Sequence, residues 1–172
     1  MHPLRLPANA AHADYSDRLL TVARRLDLDV SYAARRPWVP RPRQLSAWAA
    51  AALAPMRRSC VLSVRVVGQA RSRSLNAHYR HKDRPTNVLS FGGAGIAPDG
   101  RFFLGELVIC APVVAREARA FGITLESHWA HMTVHGVLHL RGFDHERRGE
   151  AEKMAAREIQ ILDRLGFSDP YR

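Results

Sequence analysis

A single α+β (α/β) domain is the fold class that the sequence predicts, with a small mixed sheet of about four strands and helices packed mainly on one side. Three observations predict it. The 172 residues and their 47% apolar content suit one domain with a real core. Valine-rich runs bounded by Gly and Pro read as strands, while most of the last third reads as long helices. Strands and helices share the same length of chain without strict βαβ alternation, which indicates a mixed sheet.

In chain order, residues 1–25 show no sustained period, although YSDRLLTVARR could form a short helix; an extension, partly disordered at its start, is expected before a domain over 26–172. LDLDVSY at 26–32 alternates apolar and polar residues as a half-buried strand does. Pro37, Pro40 and Pro42 make RRPWVPRP a loop, and QLSAWAAAALAPM resumes as a helix ending near Pro55. CVLSVRVVG at 60–68 is the clearest strand. QARSRSLNAHYRHKDRP reads as helix then loop, TNVLSF as a short strand, and FFLGELVIC as another. GGAGIAPDGR between those strands lacks the Lys of a nucleotide-binding loop and opens no helix. Pro112 suits the first turn of APVVAREARAFG, which Gly122 ends. Thr124 caps TLESHWAHMTVHGVLHLR, and GEAEKMAAREIQILDRLG is amphipathic, with Met154, Ile161, Leu162 and Leu165 on its apolar stripe.

Composition narrows the function. No apolar run is long enough to cross a membrane, and MHPLRLPANAAHADYSDRLL lacks the hydrophobic region of a secretory signal, so a cytoplasmic protein is expected. Cys60 and Cys110, each in an apolar run, are expected to be buried thiols and not a disulfide. The net charge of +10 is uneven: residues 1–84 hold 16 Arg or Lys against 5 Asp or Glu, and the remainder 10 against 11. A basic half joined to a neutral half suits a polyanionic partner, RNA or DNA first. Arg71, Arg73, Arg80, Lys82 and Arg84, interleaved with His78, Tyr79 and His81, fit a nucleic-acid groove, although a solvated polar face accounts for most of the same residues.

The chemistry concentrates in HMTVHGVLHLRGFDH, residues 131–145. Four-residue spacing stacks His135 above His139 on one helix face, about 6 Å apart along the axis. Gly142 allows the left-handed turn that would bring His145 back as a third ligand. Three protein nitrogens leave one coordination position open, the arrangement of a catalytic zinc ion, one per chain; nickel, copper or iron would suit the same donors. His128, His131, His135 and His139 share one stripe, but His131 and His139 lie too far apart to hold the same ion, so the usable pair is His131 with His135 or His135 with His139, and only the second adjoins the turn that would return His145. The spacing resembles the metzincin zinc motif HExxHxxGxxH, on a metzincin-like metal helix, except that Gly136 replaces the Glu that serves as general base. A peptidase using that carboxylate is therefore ruled out. Gly136 itself is explained equally by free space near the metal or by close helix packing.

HGVLHLRGFDH, with HWAHMTVHG before it and with SLNAHYRHKDRPTNVLSF and LGELVIC upstream, resembles the YbeY family of bacterial metal-dependent endoribonucleases, over about residues 60–165. The chain departs from the family pattern in GQARSRS and at Gly92, after Phe91 of TNVLSF. The resemblance implies that His135, His139 and His145 ligate zinc and that Arg65, within VRVV, is the family's functional arginine. From position alone, Arg65 reads as an outward charge on a sheet. The implied substrate is single-stranded RNA, notably the 3′ end of small-subunit ribosomal RNA, with the ribosome as partner; the protein is expected to be monomeric. For the proton, His131, the activated water itself, Glu106 and Asp144 are all candidates, Asp144 also as a residue orienting a ligand. The competing readings are a metallohydrolase of peptides or esters and a ribosome-binding module whose metal only holds the fold.

Overall fold

The computed structural model describes residues 25–34, 38–54, 56, 58–93, 95–96, 99–143 and 148–172. The short helix read in YSDRLLTVARR therefore lies almost wholly outside the described residues, as do Asp144 and His145. Four strands form one sheet: β1 (Leu26–Tyr32), β2 (Cys60–Val67), β3 (Val88–Gly92) and β4 (Phe102–Cys110), in the order β1-β2-β4-β3. β1, β2 and β4 run parallel, and β3 is antiparallel to β4. The mixed sheet of the sequence reading is thus present, with β3 and β1 at its edges.

Five helices accompany the sheet among the described residues: α1 (Pro42–Leu53), α2 (Gln69–Arg80), α3 (Ala111–Phe121), α4 (Leu125–Leu140) and α5 (Arg148–Arg164). α1 begins at Pro42, which the sequence reading assigned to the preceding loop. Proline in the first turn loses no intrahelical bond and its φ already suits a helix.

Strand alternation decides what each sheet face meets. Leu62, Val64 and Val66 of β2, and Leu104, Leu107 and Ile109 of β4, join a core with Leu45, Trp48 and Leu53 of α1, Trp129, Val134 and Val137 of α4, and Met154 and Ile161 of α5. The opposite face holds a smaller cluster of Val67, Leu89, Val108, Cys110 and Val113, covered by Leu75 of α2. Cys60 and Cys110 are free and buried, and burial pushes both thiols up.

α4 is buried nearly all round. Thr124 caps its start, its hydroxyl accepting from the Ser127 N–H at 3.1 Å. Its end is a Schellman turn: Gly142 N donates to His139 O at 2.9 Å and Phe143 N to Leu138 O at 3.1 Å, with Gly142 at φ +87°. The chain reverses where the spacing predicted.

Gly136 is explained by packing. A Cβ there would stand 2.8 Å from Leu107 Cδ2 and 3.3 Å from Ser90 Oγ, so the absence of a side chain lets α4 lie close on β3 and β4. The Ser90 hydroxyl donates to Gly136 O at 3.2 Å across the same contact.

Candidate metal centre

A cleft of about 420 Å³ opens along α4. His135 and His139 form one wall, Met154 and Glu158 of α5 another, and Ser90 of β3 a third; Arg80, Thr86 and Asn87 close the side toward α2. That last side is held by buried polar residues. Ser72 Oγ donates to Thr86 O at 2.8 Å, and Asn76 Nδ2 donates to Arg84 O at 2.7 Å, pinning the loop after α2 to the helix. Arg80 is the one cation lining the cleft among the described residues.

Within the cleft, His135 Nε2 and His139 Nε2 stand 3.1 Å apart. Behind them, the fully buried Glu158 receives three donors. His135 Nδ1 lies 2.7 Å from Oε1, His131 Nε2 lies 3.1 Å from Oε2, and the Tyr171 hydroxyl also donates to Oε2. Burial pushes the carboxyl of Glu158 up, but the hydrogen bonds from His131, His135 and Tyr171 more than offset this and hold it at about 2. The same contact and its own burial raise the Tyr171 phenol.

An ionised carboxylate only accepts. His135 must therefore carry a proton on Nδ1, and in the neutral imidazole the Nε2 lone pair faces His139. Two imidazole nitrogens bound tetrahedrally at 2.0–2.1 Å from zinc are about 3.3 Å apart, close to the spacing found. A carboxylate behind a ligating histidine, fixing its tautomer and ring orientation, is the usual support for such a ligand. The donor set therefore fits a divalent transition metal.

His131, His135 and Glu158 also bring donor atoms within 4.8 Å of one another, a second possible seat for an ion. In the geometry found, both histidine nitrogens facing Glu158 give their protons to hydrogen bonds with the carboxylate. A cation between them would displace those protons. His135 belongs to both candidate seats, with His139 on one side and with His131 and Glu158 on the other.

The structure brings together His135, His139 and, through Glu158, His131. His145 lies outside the described residues. Arg65 does not join the group. It alternates with Val64 and Val66, which face the α4 side, so it points to the opposite face of the sheet. There its Nη2 pairs with Glu106 Oε1 at 2.7 Å. Glu106 is displaced from the histidines for the same reason. Sequence reasoning missed Glu158 and Tyr171, and it counted Arg80 only as one cation among several.

The profile of the family described as Endoribonuclease YbeY matches residues 41–166. A protein named Endoribonuclease YbeY from Stenotrophomonas maltophilia (strain R551-3) is 51% identical over 151 residues, 86% of this chain and 94% of the relative. One of the same name from Xanthomonas campestris pv. campestris (strain B100) is 50% identical over 151 residues, with the same coverage. The solution structure of TM1509 from Thermotoga maritima aligns with a TM-score of 0.55 at 23% identity, covering 85% of this chain and 99% of that one, a likeness of fold. With the profile covering both facing histidines and the carboxylate behind them, and relatives half identical over most of their length, this chain belongs to the Endoribonuclease YbeY family.

Proposed function

We propose that this protein is a zinc-dependent endoribonuclease that cuts single-stranded RNA and processes the 3′ end of small-subunit ribosomal RNA. The observation that carries the reading is the His135–His139 nitrogen pair, 3.1 Å apart in an open cleft with an ionised carboxylate behind it. The names of its relatives supply the substrate class. His135 and His139 would hold the ion with His145 as third ligand, and the ion would supply a Lewis acid and an acidified water.

The chain's own residues do the rest. Glu158 holds His135 with a proton on Nδ1 and keeps its Nε2 facing His139. Arg80, on the cleft wall, binds the phosphate backbone through its planar fork of donors. His131, held by the same carboxylate, is the group we assign to proton transfer. Arg65 serves as an RNA contact outside the cleft, because the sheet separates it from the histidines. In this reading the protein works in the cytoplasm as a monomer, with the ribosome as its partner. No helix among the described residues is long and apolar enough to cross a membrane.

The test is cleavage of single-stranded RNA, with a duplex control, by protein purified without an affinity tag and analysed for metal. About one zinc per chain and cutting confined to single strands are expected, with both lost in His135→Ala. Metal-replete protein that binds RNA and never cuts it would leave a binding module as the correct reading.

A further inference from the structure

Of the five large apolar side chains that stand exposed among the described residues, two line one cavity: Phe121 at 65% exposure and Tyr171 at 56%. The cavity, about 230 Å³, adjoins the histidine cleft, and Asn87 and Tyr171 line both. Ile123, Met132 and Pro170 complete its apolar lining, and His131, which also bonds Glu158, lines it too. Single exposed aromatics need no explanation, whereas two on one concavity beside a reaction centre do.

Glu117 is set into the wall of this cavity. Its Oε2 accepts from His128 Nε2 at 2.8 Å and from Asn87 Nδ2 at 3.1 Å, while Oε1 accepts no hydrogen bond among the described residues. Burial pushes the carboxyl up, and the bonds from His128 and Asn87 outweigh that, so it sits below the usual carboxylate range. His128 is itself 2% exposed and meets the Phe121 ring edge-on at 5.8 Å, so the carboxylate is held on a rigid base. Ring faces for stacking together with one fixed acceptor are what recognition of an unpaired nucleobase requires.

Resting on the nuclease reading, we propose that this cavity binds the base next to the cut phosphate, and that Glu117 selects a base with an exocyclic amine over uracil. The free Oε1 accepts from the amino group of adenine, cytosine or guanine. Uracil offers no amino group, and its single edge N–H lies between two carbonyl oxygens that the carboxylate repels. The cavity shares a wall with the cleft, so a strand whose phosphate lies at His135 and His139 has a neighbouring base within reach of it.

The test uses the full chain loaded with zinc and four short single-stranded RNAs that differ in one base beside the cut. The kcat/KM values are measured, along with binding of the same RNAs by fluorescence anisotropy. Wild type is expected to favour the amino-bearing bases over uracil by about tenfold. Glu117→Gln, which keeps the side-chain shape and presents an amide that can also donate, is expected to shrink that ratio toward one. Phe121→Ala removes an exposed ring and leaves the core untouched; it is expected to raise KM about tenfold on all four RNAs. A wild-type ratio of one, or a Glu117→Gln ratio equal to wild type's, overturns the proposal. Base-selective binding without any cutting would instead overturn the nuclease reading and leave the subsite standing.

Discussion

His135 Nδ1 lies 2.7 Å from Glu158 Oε1, and this contact sets which nitrogen of His135 faces the cleft. Removing the charge while keeping the shape isolates that effect. Glu158→Gln is expected to weaken zinc binding by roughly 10- to 100-fold, the usual loss when a carboxylate behind a ligating histidine is replaced. Competition with a chromophoric chelator reads the affinity without reference to cleavage. Unchanged affinity would show that Glu158 supports packing only.

Acid stability follows from the same carboxylate. Its value of about 2 is below the ordinary 4.5, so its contribution is fully present above about pH 4.5 and is lost as pH falls toward 2. A shift of this size corresponds to roughly 3 kcal/mol. Urea unfolding of metal-free wild type and Glu158→Gln between pH 6 and pH 3 is expected to show wild type's advantage shrinking across the acid end. A constant difference would mean that Glu158 stabilises by packing alone.

The histidine spacing, the helix cap at Thr124 and the reversal at Gly142 were legible because each follows from local geometry: a four-residue repeat, one hydroxyl and one left-handed φ. Glu158 was legible in part. It occupies the gap between Met154 and Ile161 on the apolar stripe of α5, where a lone carboxylate is buried and must therefore be paired. Its partners are on α4, and no rule of spacing within α5 names them. The face that Arg65 takes was legible only in part, for the complementary reason. The alternation of β2 shows that it faces away from its valine neighbours, but which sheet face α4 covers is decided by topology. Tyr171 carried no signal, since its role depends on where the chain passes after α5.

Gly136 tests whether close packing or catalysis excludes a side chain from this position of α4. Gly136→Ala gains about 1 kcal/mol in helix propensity and meets overpacking of about 1–3 kcal/mol against the fully buried Leu107. A net loss of about 1 kcal/mol in urea unfolding is expected. Gly136→Glu, which restores the metzincin carboxylate in sequence, would force that group against Leu107 and is expected to destabilise the fold without conferring peptidase activity. Cleavage of a peptide by a folded Gly136→Glu variant would overturn this account of the position.

Arg80 and Arg65 separate by face and by charge balance. Arg80 lines the cleft with the histidines, whereas Arg65 is on the other side of the sheet with Glu106 2.7 Å away. A cation that meets phosphate contributes to the salt dependence of binding, while one already neutralised by a carboxylate contributes less. Arg80→Ala is therefore expected to raise KM for single-stranded RNA and to reduce the slope of log affinity against log salt by about 1. Arg65→Ala is expected to change the slope by less, because Glu106 is freed as the cation is lost. Titrations of a fluorescent single-stranded RNA at several salt concentrations measure both slopes. A larger change in Arg65→Ala than in Arg80→Ala would place the RNA backbone on the opposite sheet face and remove Arg80 from the binding path.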